Sequence, residues 1–78
     1  MSRLRLSDLP IHTSGVIIQL ELSDMKKSRL EDLGFCPDVN ILHMYTAPAG
    51  SPMAFLVKGA VIALRVDDCK RILVERNV

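Results

Sequence analysis

Aromatic residues are scarce in this chain. Trp is absent, and Phe35, Tyr45 and Phe55 make up the aromatic complement. A core must therefore be aliphatic, built from Val, Ile, Leu and Met, and there is no set of stacking rings in a basic context for nucleic acid. An excess of either charge is lacking too. Ten Lys and Arg against nine Asp and Glu leave a formal net charge of +1, without the strongly basic footprint of a nucleic-acid binder. Cysteine is limited to Cys36 and Cys69, far apart and outside any CxxC pair. A secreted domain of this size usually carries more bridges, so both read as reduced thiols of a cytoplasmic protein. No apolar run approaches the roughly 20 residues of a membrane helix. The opening MSRLRLSDLPIHTSG also lacks the apolar centre of a signal peptide. With 78 residues the chain is one domain, 1–78, small enough that its stability should be modest.

What is present is a chain of short elements around one helix end. In the run RLEDLGFCPD, Arg29 to Asp38, Leu30 and Leu33 share a helix face. Gly34 follows the last apolar residue, where helices commonly end in a left-handed turn, and Pro37 forbids resumption. Met25, Leu30 and Leu33 form the expected apolar side. Ser23 or Asp24 can cap the start, while Ser28 with Glu31 fits a capping box one turn later.

Before the helix, Leu4 and Leu6 alternate with Arg3 and Arg5 as a short edge strand would, and Ser7 to Pro10 reads as a turn. Val16 to Leu22 reads as a strand with Ile18, Leu20 and Leu22 facing the core and Gln19 and Glu21 facing water. After the helix, Val39 to Thr46 is a strand with Val39, Ile41, His43 and Tyr45 on one face. Ala47 to Pro52 is a hairpin loop in which Gly50 supplies the positive φ. Met53 to Val57 and Val61 to Leu64 are strands joined at Lys58-Gly59. A helical turn near Asp67 precedes a closing strand, Ile72 to Val74, and residues 75–78 read as a fraying end. About five short strands, one short helix between the first two and a helical turn before the last fit a mainly β, partly open small barrel.

No catalytic signature stands out. His12, His43, Cys36 and Cys69 are the candidate nucleophiles and bases, and none sits in a recognisable pairing. His43 alternates with core positions and reads as a packed or interface histidine. Cys36, between Phe35 and Pro37, reads as a small apolar residue. These four side chains also lack metal-ligand spacing, and no Gly-rich phosphate loop is present. The expectation is no enzyme, no cofactor and no metal ligand set. What remains is surface. The basic turn Lys26, Lys27 and Arg29 is either a solvated helix face or a docking patch for an acidic partner or lipid headgroups. The hairpin tip, Pro48 to Met53, offers Ala49, Pro52 and Met53 on a proline-stiffened loop, and a preformed loop loses less entropy on binding.

Taken in order, the motifs resemble a family. Leu6-Ser7-Asp8-Leu9 is followed by Arg29-Leu30-Glu31-Asp32-Leu33-Gly34-Phe35-Cys36-Pro37, then Pro48-Ala49-Gly50-Ser51-Pro52, then Ile62-Ala63-Leu64-Arg65. This series is similar to the ferrous-iron-transport A family, FeoA, over nearly the whole chain. Asp38 stands where that family usually has a second glycine, His12 near a frequent glycine position and Ser51 where Asp is common. The resemblance implies an SH3-like barrel in the bacterial cytoplasm. It also implies work beside FeoB, the membrane ferrous-iron transporter whose cytoplasmic part binds GTP. Contact with the membrane would run only through that partner, and a weak homo-oligomer is also compatible with the resemblance. On this reading Lys26, Lys27, Arg29, Pro48, Pro52 and Met53 are the partner-binding candidates. The alternative is a metal-binding or metal-sensing SH3-like domain related to the C-terminal domain of iron-dependent repressors.

Overall fold

Alternating apolar and polar residues build most of the molecule. In the computed structural model, which describes residues 3–77, they form one antiparallel sheet. Its strands are β1 (Arg3–Arg5), β2 (Ser14–Leu20), β3 (Asn40–Thr46), β4 (Met53–Val57), β5 (Ala60–Leu64) and β6 (Ile72–Arg76). The spatial order is β1-β6-β2-β3-β4-β5. A 3-10 turn, Leu6–Asp8, follows β1, helix α1 (Asp24–Asp32) links β2 to β3, and the four-residue α2 (Val66–Cys69) links β5 to β6. The sixth strand beyond the expected five is the short Leu4 edge next to β6. Val78, at the end read as fraying, lies outside the described residues, while Glu75 and Arg76 are paired in β6.

The sheet wraps one aliphatic core. Ile17, Ile41, Phe55, Leu64, Ile72 and Val74 enter it from five strands, and Leu6 and Leu9 close one end from the 3-10 turn. Phe35 is fully buried and meets Phe55 edge to face, with centroids 6.3 Å apart, the arrangement that the ring quadrupoles favour.

Two β-bulges correct the expected facing. In β2 the register against β6 shifts between Ile17 and Gln19. A bulge adds one residue and so reverses the inward phase. Ile17 and Leu20 are therefore buried, while Ile18, expected in the core, is only half-buried. Leu22 falls beyond the strand and packs partly against the core. In β3 the register against β4 shifts between His43 and Tyr45. Ile41 and His43 keep their inward phase, and Tyr45, expected on the same face, turns out to 57% exposure.

Helix α1 starts one turn earlier than the capping box suggests. Ser23 is the N-cap, and its Oγ accepts from Lys26 N at 3.4 Å. The helix ends as expected. Gly34 has φ 106°. Its N–H donates to Glu31 O at 3.0 Å and the Phe35 N–H donates to Leu30 O at 2.9 Å. These paired bonds are the Schellman closure, which satisfies the last helical carbonyls and drives Phe35 toward the core. Asp38, at φ 73°, adopts the left-handed backbone that its short polar side chain tolerates. The apolar side of the helix is narrower than its spacing suggests. Leu30 is buried, but Met25 and Leu33 are 74% and 46% exposed.

Candidate docking surface

The exposure of Leu33 opens a groove. It lies between α1 and the end of β5, with a volume of about 290 Å³. Leu30, Leu33, Ala63 and Leu64 give it an apolar floor, and Lys26, Arg29 and Arg65 stand around it. One carboxylate, Asp68 of α2, enters from the far end, and Lys26 Nζ reaches its Oδ1 at 3.2 Å. This bridge explains how a lysine is tolerated near the positive end of the α1 dipole. It also divides the groove from a second, mixed-charge depression lined by Glu21, Ser23, Asp67 and Arg71. The main groove thus joins apolar floor to a surplus of positive charge.

Lys26 and Arg29, two of the three basic candidates, line this groove, whereas Lys27 is half-buried outside its lining. The hairpin stands beside the same region. Ser51 Oγ accepts from Val66 N at 3.1 Å, tying the loop to the residue after Arg65. Gly50, at φ 91°, lets its N–H close onto Ala47 O at 2.8 Å. Pro48, Ala49 and Pro52 are exposed. Met53 is not. It is 4% exposed, because it opens β4 opposite Leu64 and points into the core. Met53 is therefore removed from the docking candidates, and its substitution would act on packing.

Beyond Leu30 and Leu33, read as the apolar side of the helix, the groove residues that sequence reasoning missed are Ala63, Leu64, Arg65 and Asp68. The available signal was the uncharged run Ala60 to Leu64 ending abruptly on an arginine. Its meaning depends on α1, about thirty residues away, and no local pattern shows that.

The remaining candidates are structural in place. His43 is 4% exposed and stacks at a tilt on Phe55, with ring centroids 5.2 Å apart. Its Nδ1 lies 2.8 Å from Leu9 O and its Nε2 lies 2.7 Å from Thr46 Oγ1. A carbonyl only accepts, so Nδ1 carries a proton and donates to Leu9 O, while the Thr46 hydroxyl, which can donate or accept, pairs with Nε2. His12, exposed at φ 62°, donates its backbone N–H to His43 O. Cys36 and Cys69 are both free thiols, as expected. Cys36 Sγ donates to Glu31 O at 3.4 Å, across the end of the helix. Cys69 is fully buried, and burial, helped by the nearby Asp68 charge, pushes its thiol up to about 12. It is therefore a poor nucleophile at neutral pH. Among the described residues no three His, Cys, Asp or Glu side chains converge as a metal site would require, and no helix is long and apolar enough to cross a membrane.

The fold recurs in solved structures. FeoA from Chlorobium tepidum superimposes with a TM-score of 0.92 at 21% identity, over 96% of this chain and 71% of that one. FeoA from Stenotrophomonas maltophilia, crystallised with zinc and described as a procaryotic SH3 domain protein, is 33% identical, with a TM-score of 0.78 over 92% of this chain and 89% of that one. IdeR from T. acidophilum shares the fold at 19% identity and TM-score 0.85, over 99% of this chain and 35% of the longer one. No curated protein matches. The FeoA domain model, however, matches residues 4–76, and with that match the chain belongs to the FeoA family of small SH3-like domains associated with iron transport.

Proposed function

We propose that this chain is a cytoplasmic accessory domain of bacterial ferrous-iron uptake that acts by docking onto the cytoplasmic GTP-binding domain of a FeoB-type transporter. Family membership supports the link to iron transport, and the transporter as partner is part of the proposal. The groove between α1 and β5 is the observation that carries the mode of action. Its apolar floor offers burial and its basic rim offers steering toward an acidic surface. The hairpin tied to Val66 extends the contact area with a constrained loop. The module works through what it touches and not through bond chemistry.

The test is binding kinetics against the transporter's cytoplasmic domain at two salt concentrations. Charge reversal at Lys26 and Arg29 should slow association about tenfold at low salt and flatten its salt dependence. Lys27→Glu, outside the groove, should have a smaller effect. Pro52→Ala should hasten dissociation. The variants should stay folded, since the Lys26–Asp68 pair is solvent-facing and contributes about 1 kcal/mol at most. Wild-type kinetics in the Lys26, Arg29 and Pro52 variants would place the contact elsewhere, and a wild-type chain that fails to bind would refute the partner.

A further inference from the structure

The sheet ends on β5, and β5 lacks the devices that usually protect an edge. Its five residues, Ala60 to Leu64, carry no charge and no proline, and its pairing with β4 runs without a bulge. The opposite edge is built differently. β1 has three residues, two of them arginines that reach Glu75 and Glu21. Short, charged edges resist pairing with another chain, whereas uncharged regular ones invite it.

The unpaired backbone groups of β5 can be located. Lys58 and Gly59, at φ 50° and 84°, form the two-residue turn between Val57 and Ala60. Both angles are positive, which is the type I′ geometry. In such a hairpin the residues that flank the turn exchange both hydrogen bonds, and hydrogen-bonded pairs recur at every second position. Val57–Ala60, Phe55–Ile62 and Met53–Leu64 are therefore the bonded pairs. Val61 and Ala63 turn their N–H and C=O groups the other way, where no strand follows among the described residues. The docking groove lies on that end of the sheet. Ala63, Leu64 and Arg65 form one wall, and Arg29, Leu30 and Leu33 of α1 form the other.

We propose, resting on the docking role assigned above to this groove, that β5 takes an extended, acidic and apolar segment of a partner protein as a seventh strand. Backbone pairing to Val61 and Ala63 supplies the register. Alternate side chains of the incoming strand then point toward the apolar floor, while carboxylates meet Arg29 and Arg65. Charge decides against a second copy of this chain as the occupant. Two-fold antiparallel pairing of β5 with itself, Val61 opposite Ala63, would set Arg65 of each copy opposite Gly59 and beside Lys58 of the other, where like charges oppose association.

The experiment is amide NMR on the isotope-labelled chain. Three probes are used: a blocked heptapeptide alternating valine with glutamate, the same peptide with lysine, and the transporter's cytoplasmic domain. The glutamate peptide should shift the Val61 and Ala63 amides and slow their hydrogen exchange, and the lysine peptide should not. Val61→Pro and Ala63→Pro each remove an outward donor at an edge, where proline is tolerated, and should weaken binding about tenfold. Should a proline variant fail to fold, the wild-type amide readout still decides. Val61 and Ala63 amides unchanged by both the glutamate peptide and the domain would overturn strand addition. Equal binding of the lysine peptide would overturn the acidic occupant. Protection that grows with concentration in the free chain would overturn it in favour of a second copy. Protection by the glutamate peptide, with no binding of the transporter domain, would uphold strand addition and refute only the transporter as partner.

Discussion

Replacing Gly34 with valine should lower the melting temperature by roughly 12–24 °C. At φ 106° Gly34 lies beyond the left-handed region, near φ +57°, that other residues visit. Entering even that region costs an L-residue on the order of 1–2 kcal/mol, and a β-branched residue fits it worst. A second cost comes from packing. A Cβ on residue 34 would stand 3.1 Å from Val57 Cγ1. Val57 is 1% exposed and sits in the core, so its methyl has nowhere to swing. Overpacking of this kind adds about 1–3 kcal/mol. A total near 3 kcal/mol is reasonable, and a domain of this size loses about 4–8 °C for each kcal/mol. The assay is thermal unfolding by circular dichroism, with Gly50→Val as comparison. Gly50 has a similar φ of 91°, but nothing lies within 4 Å of its added Cβ, so that variant carries the conformational cost alone. If Gly34→Val melts no lower than Gly50→Val, the Val57 contact contributes nothing. If it melts like wild type, the account of the helix cap is wrong.

His43→Leu should cost about 1–3 kcal/mol, because it leaves Leu9 O and the Thr46 hydroxyl without their buried partner; an unchanged urea midpoint would refute this. For Cys69, the folded thiol stays neutral up to about 12, whereas the unfolded thiol ionises from about 9 upward. Stability should therefore fall as pH rises through that window, by at most about 1.4 kcal/mol per unit, and a Cys69→Ala protein with the same alkaline slope would refute the assignment.

The helix end was legible because its signals are local. Leu33, Gly34 and Pro37 each restrict the backbone within a few residues of where they act, and the left-handed Gly34 and buried Phe35 follow from them. The β4–β5 hairpin was legible for the same reason. The two bulges were not. Val16, Ile17 and Ile18 are all apolar, as are Leu42 and Met44 around His43, so either phase of the alternation satisfies the sequence. Pairing with β6 and β4 chooses between them. Met53 misled for a related reason: an apolar residue that ends a loop and begins a strand reads the same whether it faces solvent or core. In the candidate site, Lys26 and Arg29 could be picked out as a basic turn. Arg65 and the floor under it could not, since the groove exists only where β5 and α1 face each other.

The position of β6 bears on how the domain is made. Residues 72–76 are the last strand along the chain, yet they lie inside the sheet, between β1 and β2. While the chain is still emerging from the ribosome, β2 has its β3 neighbour but an open flank on the other side, and β1 has no partner at all. Ile72 and Val74, both fully buried, have yet to cover the adjoining part of the core. The nascent chain thus exposes that apolar surface until residues 72–76 have been made and can pair, and cooperative folding waits on them. Translation that stalls just before Ile72 leaves the other five strands without β6 and so without the native fold, a substrate for chaperones and proteases.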